Sequence, residues 1–425
     1  MLIGLMLLVS AGVLPAAGGA RLLVVNTLSE NISVIDMTAD QVVGTIPLGA
    51  PGYHIAFSPR GDRAYVTSAA GGVLPGGASP ARLLMIDLGR GKVSGHIDLD
   101  LSPLADVHVS PDGRRAYVIS AGKPGSRNTD RGRVLFVDLE RNKLTGTVRI
   151  GLNPLASVIS PDGAHLFTVD WASRAISHVN LAQGRLEDTI PFGVVPARVL
   201  GQRPQGGELY AATGDLAVQP AANSFNNAAV NAQTQSNVRQ VAPAEEKGYL
   251  WKINGKATPE ILPVDGMGSV YALAVSPDGN RLYVYGRAQQ QYNVQQSPAN
   301  QQQQAVRFAD VYSLQVVDTR KWRVVERFGD FGYLTGITSS PDGRKLYLIG
   351  TPGNAVQEDA VRTKNAPQMS QVQNSPPGVK NDAQTSLLRD LSELPKTVTV
   401  LDARTGKRLK TIPVGSLPQG WGIVK

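Results

Sequence analysis

One tetrapeptide turn recurs through this chain at intervals of about one small sheet, and it limits the fold more than any other feature. Ser-Pro-Asp-Gly stands at Ser110-Pro111-Asp112-Gly113, Ser160-Pro161-Asp162-Gly163, Ser276-Pro277-Asp278-Gly279 and Ser340-Pro341-Asp342-Gly343. Ser58-Pro59-Arg60-Gly61 is a close variant, and Arg203-Pro204-Gln205-Gly206 a degenerate one. Proline presets φ for the first corner, aspartate bonds back to local backbone, and glycine accepts positive φ. The four aspartates are therefore read as turn residues rather than catalysts.

Each turn leads into a strand of the type Ala64-Tyr65-Val66, Ala116-Tyr117-Val118 or Leu282-Tyr283-Val284. A further strand then ends on Asp36, Asp87, Asp138, Asn180, Asn254, Asp318 or Asp402. Four residues beyond these stand Asp40, Gly91, Asn142, Gly184, Thr258, Trp322 and Gly406. Glycine, asparagine and aspartate tolerate a left-handed corner, so this spacing reads as a second recurrent hairpin, broken only by Thr258 and Trp322. A fourth strand follows. Four short antiparallel strands per unit is the composition of a propeller blade, and such sheets bury both faces only by stacking radially.

Seven strands end in Asp or Asn, which predicts seven blades. The last unit stops at the innermost strand, around Trp421, and lacks the strand that should follow its turn. Arg21-Leu22-Leu23-Val24-Val25-Asn26 matches that missing strand. The expected fold is thus an all-β, seven-bladed β-propeller of four-stranded antiparallel blades. N- and C-terminal strands share one blade, closing the ring without a free sheet edge.

Units such as Ser33-Val34-Ile35-Asp36, Thr45-Ile46-Pro47-Leu48-Gly49 and Ala64-Tyr65-Val66-Thr67 resemble the YVTN-type β-propeller repeat, found also in YncE-like and surface-layer proteins. The resemblance covers nearly all of residues 21–425 outside the insertions. It speaks for the fold and implies no particular activity.

The first twenty residues are set apart. Residues 2–14 form a nearly unbroken apolar run, followed by Pro15 and small residues, with Gly18 and Ala20 at −3 and −1 of a cleavage after Ala20. This predicts a signal peptide at 1–20, and hence export to the periplasm, cell surface or exterior. No Lys or Arg precedes the run. If retained, the segment would serve as an anchor; nothing else in the sequence is apolar enough to cross a bilayer.

Composition narrows the chemistry. No cysteine is present, which removes disulfides, thiolate catalysis and Cys-based metal centres. A net charge of +8 spread along 425 residues, with no dense basic run, argues against nucleic acid as a partner. The Gly-rich phosphate loop, nucleophile-elbow and zinc-protease motifs are missing.

Three insertions, at about 214–247, 287–310 and 351–395, fall between the second and third strands of consecutive units. All therefore belong to one face. Residues 289–304 and 221–240 are rich in Gln and Asn, and read either as low-complexity filler or as a polar cap that orders against a partner. Leu387, Leu388, Leu391 and Leu394 share one helical face before Pro395 and predict a short helix.

Five histidines offer the little chemistry there is. His54 and His108 fall on innermost strands of adjacent blades, with Asp106 two residues before His108, and the three form the one metal site considered. Their offset along the channel weighs against it, and no other cofactor is expected. Tyr53, His54, Arg198, Tyr271, Tyr333 and Trp421 fall near the starts of inner strands and form a candidate ligand site at the channel mouth. The leading functional expectation is an exported binding or scaffold protein, monomeric, that docks an envelope protein or surface polymer through the Gln/Asn-rich cap. The alternative is a propeller enzyme, a lactonase-like hydrolase or metal-dependent oxidoreductase, working in the channel.

Overall fold

The hairpins form where the turn residues place them. In the computed structural model each Ser-Pro-Asp-Gly serine donates its hydroxyl to the aspartate two residues on, as in Ser110 Oγ to Asp112 Oδ1 at 2.5 Å. The same carboxylate accepts from Arg114 N at 3.0 Å, and Gly113 turns the corner at φ 72°. These bonds hold Asp112, Asp162, Asp278 and Asp342 below the usual carboxylate range. Their carboxylates serve the turns, as their sequence context implies. At the second hairpin Asp36, Asp138, Asp318 and Asp402 accept amide bonds from the residues two and three ahead.

Two corners depart from the expected spacing. Trp322 adopts φ 49° although it is neither Gly nor Asx. Its ring stacks on Tyr210 of the preceding blade and lies 5.1 Å below Lys252 Nζ, contacts that offset the backbone cost. Among the described residues of the Asn254 hairpin, Gly255 is left-handed and Thr258 is not.

The structure describes residues 19–69, 81–99, 104–121, 131–192, 197–213, 247–255, 258–294, 305–329, 331–332, 334–350 and 396–424. These form 28 strands, β1–β28, in seven four-stranded antiparallel sheets. The innermost strands are β4 (Gly52–Phe57), β8 (Leu104–Val109), β12 (Pro154–Ile159), β16 (Ala197–Gln202), β20 (Ser269–Val275), β24 (Leu334–Ser339) and β28 (Pro418–Val424). The closing sheet has the order β28-β1-β2-β3, one C-terminal strand followed by β1 (Arg21–Asn26), β2 (Asn31–Asp36) and β3 (Gln41–Pro47). Among the described residues there is no helix, and hence none long and apolar enough to cross a membrane.

The core is a ring of apolar clusters between neighbouring sheets. One joins Tyr347, Ile349, Val398 and Val400 of the seventh sheet to Leu22, Val24 and Ile35 of the closing sheet. Prolines of the turns pack around the ring as well: a Cβ on Gly163, at φ 71°, would run into the Pro111 ring of the preceding blade. Gly184, at φ 62°, has open space. Gly163→Ala should therefore cost about 3 kcal/mol, the left-handed penalty plus a clash with a rigid ring, against about 1 kcal/mol for Gly184→Ala. Equal losses in urea melts would show that the proline contact contributes nothing.

In the insertion at 287–310, residues 287–294 and 305–310 are strand rather than unstructured filler, and 295–304 lie outside the described residues. Here β21 (Arg281–Val294) and β22 (Ala305–Asp318) remain paired to Val294↔Ala305. Beyond Arg287, β21 has no other partner strand among the described residues, and the same holds for β22 before Ser313. An arm of seven rungs, roughly 20 Å at strand rise, thus extends from the sheet. The tracts 214–246 and 351–395, including the expected helix before Pro395, lie outside the described residues, as do residues 1–18.

Candidate functional site

Each inner strand enters the channel just after the crossover from the preceding blade. Its first half therefore lies near the face that also carries every second-to-third-strand connection. A cavity of about 360 Å³ occupies this half. It takes residues from all seven inner strands, among them His54, Asp106, Ser157, Arg198, Tyr271 and Trp421. The volume is within the range of small-molecule pockets.

Asp106 stands between His54 of the neighbouring inner strand and His108 of its own, one facing each carboxylate oxygen. His54 Nδ1 lies 3.8 Å from Asp106 Oδ1, and His108 Nε2 lies 3.6 Å from Oδ2. Both separations exceed hydrogen-bond length. The bonds proper come from Val107 N to Oδ1 at 2.8 Å and from Ser157 Oγ to Oδ2 at 2.7 Å. Ser157 Oγ is also 2.7 Å from His108 Nε2. The hydroxyl has one proton, and Asp106 takes it, so His108 must donate from Nε2 to Ser157.

Burial works against the Asp106 charge, but His108, His54 and the Ser157 hydroxyl together hold the carboxyl well below its usual range. Burial, with His108 alongside, keeps His54 below the usual histidine range, and Asp106 offsets only part of this. At neutral pH the site therefore presents a carboxylate beside a neutral His54.

Further round, Arg198 is exposed to the cavity and has no carboxylate partner among the described residues. Its guanidinium stands 6.0 Å from the Trp171 ring. Trp421 lies so close over Gly336 that a Cβ there would overlap the indole, so it packs blade against blade while lining the cavity. Tyr271 lines the cavity as well. Tyr53 does not, and Tyr333 lies outside the described residues. Ser157, Thr335 and Gln419 escaped the sequence reading, because a lone hydroxyl or amide in a strand carries no signature until a neighbouring blade supplies its partner.

The arrangement suits binding better than a serine relay. In a nucleophilic triad the imidazole accepts the serine proton and a separate nitrogen bonds the acid. Here one nitrogen of His108 faces both groups, and the serine proton is committed to Asp106.

The fold and channel make this a seven-bladed β-propeller protein. No protein-family model matches the chain. No curated protein matches it either. Among solved structures it is similar to Kuenenia stuttgartiensis hydrazine synthase, with 16% identity and a TM-score of 0.55 over 77% of this chain and 88% of that one. At that identity the likeness shows the fold alone.

Proposed function

We propose that this chain is an exported binding protein of the cell envelope. In this reading it docks a partner protein or surface polymer on its crossover face and receives a small polar group of that partner in the channel mouth. The observation that carries the reading is one of position. The cavity with Asp106 and Arg198 and the β21–β22 arm belong to the same face. A cavity holding an anion and a separate cation suits a zwitterionic or hydrogen-bonding group, with Tyr271 and Trp421 supplying flat apolar contact. The arm offers strand edges, which pair readily with another chain. The resemblance to YVTN-type repeats and the apolar leader of residues 2–14 support an envelope location.

Crosslinking in native envelope should capture one partner at constant stoichiometry, on a chain whose recovered N-terminus is Arg21. Variants lacking residues 221–240 and 289–304 should lose that capture, and Arg198→Ala should weaken it on the order of tenfold. Undiminished capture by both variants, or none by the wild type, would sink the docking reading.

A further inference from the structure

Away from the channel, three side chains of one blade converge in a way none of the preceding roles uses. His165 opens β13 (His165–Asp170), His178 lies in β14 (Ala175–Asn180), and Glu187 lies in β15 (Arg185–Pro191). His165 Nδ1 and His178 Nε2 are 3.0 Å apart, and each is 3.8 Å from Glu187 Oε2. A point equidistant from the three atoms falls about 2.1 Å from each, the bond length of zinc to imidazole nitrogen or carboxylate oxygen.

The geometry points to a binding site for a divalent transition-metal ion, best matched by zinc, held by His165, His178 and Glu187. Two imidazoles and one carboxylate are a borderline donor set that suits this ion, and three protein ligands leave a position for water.

The surroundings already orient the donors. Phe167 stacks on His178 with ring centroids 4.5 Å apart and planes 18° apart, which fixes the imidazole. Asn180 Nδ2 donates to Glu187 Oε2 at 3.4 Å, an outer bond of the kind that steadies a ligating carboxylate. Asp188 stands directly across from His178 and adds negative potential. The side chains are 34%, 22% and 36% exposed, so an ion can enter from solvent.

The site's place in the fold separates it from the channel. His165 and Phe167 share the side of β13 whose cluster includes Ala197, Leu209 and Trp251 of the next blade. His165 comes two residues after the Ser160–Gly163 turn, and Glu187 is the third residue of β15, which follows the turn after β14. Both turns belong to the face opposite the arm. An ion here would tie three adjacent strands of one blade together.

The test uses untagged full-length protein stripped with a chelator, then titrated calorimetrically with Zn²⁺ alone. One ion per chain should bind saturably. Glu187→Gln and His165→Gln should each weaken binding on the order of 100-fold, while His96→Gln leaves it unchanged. Each variant's thermal melt is recorded alongside, and only variants that unfold cooperatively like the wild type are compared. A folded wild type without saturable Zn²⁺ binding overturns the site. So does binding that survives His165→Gln together with Glu187→Gln, or that disappears on replacing His54 and His108 instead.

Discussion

Deleting β28 should abolish cooperative folding of the whole ring, although it removes only the inner strand of the closing sheet. Six residue pairs from Arg21↔Val424 to Asn26↔Pro418 hold β1 to it. Without them β1 presents an open edge, and the cluster of Leu22, Val24, Tyr347 and Val400 loses the cover of Trp421 and Ile423. What remains across the junction is the rest of that apolar cluster and polar contacts such as Tyr347 Oη to Asp40 Oδ1 at 2.7 Å and Lys345 Nζ to Asp40 Oδ2 at 2.6 Å, with no backbone ladder to close the ring. A domain has only about 5–15 kcal/mol of net stability, and losing a closing strand is on that scale. We expect a chain truncated after residue 417 to elute as aggregate and to show no sharp thermal transition. A monodisperse truncation melting within a few degrees of the full chain would show that closure is not what holds the ring.

Replacing Asp170 with Asn should remove a destabilising pH dependence. In six of the seven blades the sixth residue of the second strand is Asn26, Ser68, Ser120, Thr213, Gly286 or Gly350. Asp170 is the ionisable exception, and it is fully buried. Three donors reach its carboxylate, from Thr168 Oγ1 at 2.8 Å, Ser177 Oγ at 2.5 Å and Gly151 N at 3.1 Å. Burial outweighs them and pushes its pKa up to about 6 from 3.8. Between those values the folded state binds more protons than the unfolded one, so stability falls as pH rises through the window and the loss is complete above it. The shift corresponds to about 3 kcal/mol. Urea melts at pH 4, 5, 6 and 7 should therefore show Asp170→Asn gaining on the wild type by roughly that amount as pH rises. The turn aspartates, whose pKa values are lowered, act oppositely in acid but are common to both proteins and cancel. A difference that does not move with pH would mean the carboxyl is not strained by burial.

The blade count and most hairpin corners were legible in the residues because their causes are local, and the shared closing blade was legible because the two terminal strands complete one copy of the repeat. A proline, an aspartate and a glycine at fixed spacing make a turn in almost any surroundings, and alternation chooses the buried face of a strand. Trp322 marks the limit of that logic, since its left-handed corner is set by a tyrosine more than a hundred residues away. The arm formed by residues 288–294 and 305–311 marks another, because a Gln-rich composition suggests no structure while a register continued from the blade supplies one.

The sites depend on packing between strands and blades. Asp106 and Ser157 meet across 51 positions of sequence, and only the seating of one blade on the next gives the serine proton its acceptor. His165, His178 and Glu187 lie close in sequence but on three strands, and they converge because the turn between β14 and β15 and the bulge after His178 set where Glu187 falls. The sequence by itself thus determined a closed seven-bladed ring, through short-range turn chemistry. Which side chains share a cavity, a proton or a prospective ion was decided only in the tertiary structure, where distances of a few ångströms, which turn chemistry does not control, fix the electrostatics.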